Sequence, residues 1–304
     1  MLKTKKYINS DHIVQTVVNV ALFLFLIIEA YPMLYVLSCS LSEGAAVTTG
    51  KIVLLPKGLN IDGYRYVLSN KEIWIGYANT IFYTVVGTCW SLFVTLPCAY
   101  ALSRPNLAGK RFVMIFFMIT MYISGGLIPS YLNAKSLGLL DTRLCIILMG
   151  SLSVYNLIVA RTFFQSSVPN EIIEAAIIDG CDQFKIFGKI VLPISKAIIT
   201  VMALYYGVAR WNSYFTEMIY LDDRAKFPLQ LFLRELLLKA ESINSMVSSG
   251  AFTGAELAYY QNVMNSTELL KYCVIVVSTL PMLIVYPKLQ KYFEKGIMIG
   301  SVKG

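Results

Sequence analysis

EIIEAAIIDGCDQFKIFGKIVLPIS, residues 171–195, is a polar, charge-bearing stretch between two hydrophobic runs. It reads as helix, glycine turn, helix, proline stop. A membrane span cannot tolerate this many charges, and a passive linker has no use for such regular patterning. Pro169 suits the first turn of a helix, and Glu171 and Glu174 favour its positive N-terminal end. Ala175 and Ala176 form helix well and carry little bulk, so a second surface can approach them closely. Gly180 fits the position just past a helix end, where a positive φ is needed. Asp182 can cap a second short helix with Phe184, Phe187 and Ile190 on one side, and Leu192-Pro193 ends it. Aromatics exposed on such a knob outside the bilayer predict a partner with a matching groove. An ordinary helix pair lying at the membrane interface is the alternative.

The rest of the chain places this knob on a membrane protein. Of the 304 residues 57% are apolar and only 14% are charged, against about 25% charged in soluble domains. Several runs reach the roughly 20 apolar residues that cross a bilayer as a helix. The expectation is an all-α integral membrane protein, a single domain with six spans at about 13–38, 74–103, 112–131, 143–165, 197–217 and 269–290. A spanning barrel would alternate in segments of about ten residues instead. The knob then occupies the loop 166–196, and a tail runs over 291–304. The basic N-terminus precedes an apolar run too long for a removable signal, so the run reads as a retained first span. The six cysteines have no paired spacing and His12 is the only histidine, which leaves little for a disulfide framework, a metal cage or a histidine triad.

Six spans put both termini on one side. With the termini cytoplasmic, the net charge of +8 falls on the inside segments and the outside segments balance to zero. The short loop from Arg104 to Arg111 is the strongest vote for this orientation. A positive balance explained by topology leaves no reason to expect nucleic-acid binding, and lipid is the expected surrounding. The long outside loops lie at about 39–73 and 218–268, and the second contains PLQLFLRELLLKAES, patterned as an amphipathic helix.

Glu174-Ala175-Ala176, Asp179-Gly180, Ile190 and Leu192-Pro193 resemble the signature of binding-protein-dependent ABC importer permeases, E-A-A-x-x-D-G, nine residues, then I-x-L-P. The stretch from Gly76 resembles the family's second and third transmembrane helices, and those from Ser124 and Arg210 resemble the carbohydrate-uptake, maltose-type branch, and within it the subgroup for oligosaccharides from complex polysaccharides. The resemblance implies the type I importer permease fold. It implies that Glu174, Ala175, Ala176, Asp179 and Gly180, with Phe184, Phe187, Leu192 and Pro193, contact a cytoplasmic ATPase dimer. The tail KGIMIGSVKG is similar to the maltose-type C-terminal extension, which makes Gly300 and Lys303 further ATPase contacts. It also implies a second, homologous permease, an extracellular or periplasmic sugar-binding protein, and a bacterial cytoplasmic membrane. ATP and Mg would be bound by the ATPase, with no cofactor or catalysis in this chain.

Aromatic faces and hydrogen-bonding groups commonly grip carbohydrates. The fifth span offers Tyr206, Arg210, Trp211, Asn212, Tyr214 and Glu217, and the first offers Glu29, Tyr31 and Tyr35. Intramembrane charge normally faces the bundle interior or water. The alternatives are a structural Glu29–Arg210 pair and an interfacial tyrosine belt. The rival functions are an ABC permease for a non-sugar solute and an ATPase-independent secondary transporter.

Overall fold

The computed structural model describes residues 4–250 and 252–301, with side chains over 12–250 and 252–287. Its helices are α1 Thr4–Ser40, α2 Gly44–Thr48, α3 Asp62–Ser69, α4 Lys71–Ser103, α5 Lys110–Tyr122, α6 Leu127–Ser136, α7 Arg143–Leu148, α8 Val154–Ser167, α9 Asn170–Ile178, α10 Gln183–Lys185, α11 Leu192–Ile194, α12 Lys196–Trp211, α13 Phe215–Tyr220, α14 Leu229–Ser248 and α15 Gly254–Ser301. Among the described residues there is no strand, in keeping with the all-α expectation. The chain divides into two compact units, Met1–Asn70 with Glu235–Ser278, and Lys71–Arg234 with Thr279–Gly304.

In the first unit the end of α1 and the loop after it gather against α15. Cys39, Val47 and Ile52 are buried together, with Tyr35 and Tyr272 packed on them. Close approach depends on glycine here. A Cβ on Gly44 would stand 2.5 Å from the carbonyl oxygen of Asn265, and one on Gly63 would stand 2.6 Å from Cys273 Sγ. Thr48 Oγ1 donates to Asn265 Oδ1 at 2.6 Å.

The second unit is built on α4, which packs along α12 and α8. Leu96, Tyr100, Leu157, Phe164, Ile186 and Met202 are buried where these helices meet. At its start, Gly76 lies against the Leu229 backbone, where a Cβ would stand 3.2 Å from Leu229 N and Cα. Asn79 fixes the neighbouring loop by donating to the carbonyls of Ala225 (2.8 Å) and Phe227 (3.0 Å) and accepting from Arg143 (2.9 Å). Thr84, Thr88, Ser91 and Thr95 follow at helical spacing on one face of α4. Thr95 hydrogen-bonds Tyr206 of α12 at 2.7 Å. The hydroxyls of Thr84, Thr88 and Ser91 are buried and meet no hydrogen-bond partner among the described residues.

Three of the expected spans are not single helices. The region 112–131 is a bent pair, α5 and α6, meeting at 114°. Gly125-Gly126 separates them, and Gly126 takes φ +85, a left-handed conformation that suits glycine. The region 143–165 is divided at Met149–Ser153, where Gly150 has φ +68. The region 197–217 holds α12 and α13, interrupted at Asn212–Tyr214. His12–Ser40, Lys71–Ser103 and Gly254–Pro287 are long and apolar enough to cross a membrane unaided.

Candidate functional site

The knob folds as its glycine and caps dictate. Pro169 precedes α9 and Glu171 lies in its first turn. Gly180 has φ +76 and ends α9 with two backbone bonds, Gly180 N–H to Ile177 (3.0 Å) and Cys181 N–H to Ala176 (2.9 Å). This pairing is the Schellman closure. Asp182 Oδ1 then accepts from the Lys185 N–H at 2.8 Å and caps α10. That bond, more than any other contact, holds the Asp182 carboxyl below the usual carboxylate range.

Three details depart from the sequence reading. Ala176 is buried and Phe187 half-buried, so both serve the core, while Phe184 is 88% exposed. Phe187 stacks on Tyr100 with centroids 5.1 Å apart. The α10 turn continues through a π-helical segment, Ile186–Val191, into α11, so Pro193 does not end the helix; the break comes at Ser195. A proline has no N–H for the Lys189 carbonyl, and the wider π turn ends just before that bond would be missing. Leu192 is half-buried against the core, whereas Glu174, Ala175, Asp179, Gly180 and Pro193 are exposed.

A groove of about 630 Å³ runs between the end of α4 and this knob, lined by Pro97, Tyr100, Arg104, Glu174 and Phe184 among others. Arg104 ties its walls together. Its guanidinium donates to the Phe164 carbonyl at 3.1 Å and to Asn170 Oδ1 at 3.5 Å, and lies 4.9 Å from the Tyr100 ring. Arg161 donates to the Leu102 carbonyl at 3.1 Å, and Lys110 to the Arg104 carbonyl at 3.2 Å. The basic residues read as a topology signal are thus also caps on helix-end carbonyls that would otherwise be orphaned.

A second concavity, of about 1050 Å³, opens between α7–α8 and α12–α13, with Tyr206, Arg210 and Glu217 in its wall. The structure brings these three of the sequence candidates to one wall. Glu217 is buried and accepts from Ser213 Oγ at 2.8 Å. Arg210 donates to the carbonyls of Ile146 and, at 3.0 Å, Ile147. Gly87 makes room for it, since a Cβ there would stand 3.1 Å from Arg210 Nε. The other fifth-span candidates do not line this cavity. Trp211 is buried edge-on to Tyr77, Asn212 donates to the Val208 carbonyl at 3.0 Å, and Tyr214 lies under Arg234. Glu29, Tyr31 and Tyr35 belong to the first unit, where Glu29 is exposed and Tyr35 packs on Tyr31 and Tyr272. Gly300 lies in the last turn of α15, and Lys303 lies outside the described residues. Sequence reasoning missed Arg104 as a clasp and Met149, Gly150, Ser153 and Tyr155 as cavity wall. The signal was present in Met149-Gly150-Ser151-Leu152-Ser153, turn formers inside an apolar run.

Residues 73–231 match the family described as binding-protein-dependent transport system inner membrane component. The polygalacturonan/rhamnogalacturonan transport system permease protein YtcP of Bacillus subtilis is 40% identical over 283 residues, 93% of this chain and 96% of that protein. The arabinooligosaccharides transport system permease protein AraQ of Halalkalibacterium halodurans is 24% identical, over 91% of this chain and 92% of its own length. In structure the chain is similar to a crystal structure of a bacterial ABC transporter involved in the import of the acidic polysaccharide alginate. The TM-score is 0.80 at 37% identity, covering 93% of this chain and 98% of that one. The chain belongs to the binding-protein-dependent transport system inner membrane component family.

Proposed function

We propose that this chain is the permease subunit of an ATP-driven importer for oligosaccharides derived from complex polysaccharides. The observation that carries the reading is the exposed Glu174–Phe184 element beside an open groove, closed at Gly180 and tied by Arg104 to α4 and α8. That element seats on a cytoplasmic ATPase dimer, which binds ATP and Mg, while this chain and a second permease enclose the pathway. Six spans with both termini cytoplasmic place the knob on the ATPase side, and a sugar-binding protein delivers cargo from outside. The relatives' named cargos support a carbohydrate. The cycle is one of alternating access: ATP and cargo each favour one state of the same two-state element, so their coupling is reciprocal. Glu174→Lys and Gly180→Pro should each abolish uptake while the protein still reaches the membrane, and normal uptake in both refutes the docking role.

A further inference from the structure

We propose that the Met149–Ser153 break is a cargo subsite that offers main-chain hydrogen-bonding groups to carbohydrate hydroxyls, with Arg210 and Tyr206 as its positioning residues; this rests on the importer reading above. Arg210 and Tyr206 are four residues apart on α12, one turn on one face. Arg210 takes the Ile146 and Ile147 carbonyls, which the end of α7 leaves without helical partners. The Tyr206 hydroxyl accepts from the Ser153 N–H at 3.1 Å, at the start of α8. From α4, Trp90 donates to Ser151 Oγ at 2.9 Å. The Met149 N–H is used by Cys145 at 2.8 Å, and the Ser151 N–H by Leu148 at 3.2 Å.

What remains is specific. The Met149 and Gly150 carbonyls and the Gly150 N–H have no protein partner among the described residues, and both residues border the cavity. Irregular backbone at membrane depth is tolerated only where it is buried in protein or lines a cavity. On the same wall Tyr155 is 57% exposed and Tyr205 39%, giving flat faces for the C–H patches of a sugar ring. The ionic groups of the wall are spoken for, Arg210 by two carbonyls and Glu217 by Ser213. A hydroxyl-rich ligand fits these neutral donors and acceptors better than a zwitterion, which would need a free charge pair.

The test uses the whole complex in membrane vesicles with two labelled probes, a neutral arabino-oligosaccharide and an oligogalacturonide. Gly87 does not itself line the cavity, and a methyl there would stand 3.1 Å from Arg210 Nε, so Gly87→Ala shifts this wall residue from behind. It should raise the KM of ATP-driven uptake about tenfold, the worth of one lost hydrogen bond, with little change in maximal rate. Arg210→Lys, which keeps the charge but loses the two-carbonyl fork, should do the same. An unchanged KM in both at wild-type membrane levels overturns the subsite. Should either variant fail to insert, the wild-type complex decides. A photoactivatable form of the probe that is taken up should label residues 149–155, and uptake with label confined to other segments overturns the proposal. A wild-type complex that takes up neither probe overturns the cargo reading and the subsite with it, whereas uptake without these signatures overturns the subsite alone.

Discussion

Gly180 can be substituted in a graded way because its surroundings are empty. A Cβ at this position meets nothing within 4 Å, so the penalty for a side chain comes from the backbone alone. At φ +76 an alanine pays about 1–2 kcal/mol for the left-handed conformation. That lowers the ratio of molecules holding α9 and α10 at their native angle to those that do not by a factor of about 5–30. Asparagine visits this region more readily and should lose less, while β-branched valine should lose more. The expected order is therefore Gly, Asn, Ala, Val, both in ATP-driven uptake and in the amount of ATPase that co-purifies at equal membrane levels. The thermal midpoint of the detergent-solubilised permease should move far less than either readout, because the added atoms touch no core residue. Native-like uptake in Gly180→Val, or equal loss in the asparagine and valine variants, would refute the reasoning from backbone geometry.

Two further outcomes follow from single contacts. Asn79→Ala removes three hydrogen bonds at a buried position and leaves the Arg143 guanidinium and two loop carbonyls unserved; it should cost about 1–3 kcal/mol, read as a lower unfolding midpoint, and an unchanged midpoint would count against that role. The Asp141 carboxyl is held below its usual range, first by Lys226 Nζ at 2.7 Å and then by the N–H groups of Asp223 and Asp222. Its folded value lies below the unfolded one, so its contribution is fully present above about pH 4 and is lost as pH falls through the folded value. Asp141→Asn keeps a residue type that tolerates the φ of +53 and should flatten the acid limb of a stability–pH curve. Coincident acid limbs for the two proteins would contradict the assignment.

The knob was legible because its signals are local. The acidic first turn, glycine closure and aspartate cap each act within a few residues and formed where the sequence placed them, while Pro169 stands just ahead of the first turn as its N-cap. Which of its apolar residues face outward was not legible, because the π turn ahead of Pro193 rotates the helix and carries Phe187 toward Tyr100. The apolar runs announced a membrane chain but hid the interruptions at Gly126 and Gly150, since hydropathy averages over one left-handed residue. For the cavity, the sequence could nominate Arg210 and Glu217 as intramembrane charges. It could not say that Arg210 spends its donors on carbonyls more than sixty residues earlier in the chain, a pairing only the fold reveals.

The row of hydroxyls along α4 has a mechanical consequence. Thr84, Thr88 and Ser91 hold no hydrogen-bond partner among the described residues, while the next in line, Thr95, holds Tyr206. Each idle hydroxyl forgoes stabilisation of the order of a hydrogen bond. A helix displaced along such a rail gives up one hydroxyl and meets the next a turn away, whereas a helix pulled off it loses packing with nothing in return. Taken by itself, the row offers α12 more than one register along α4, while the bonds of Arg210 and Tyr206 to the α7–α8 break hold it at this one.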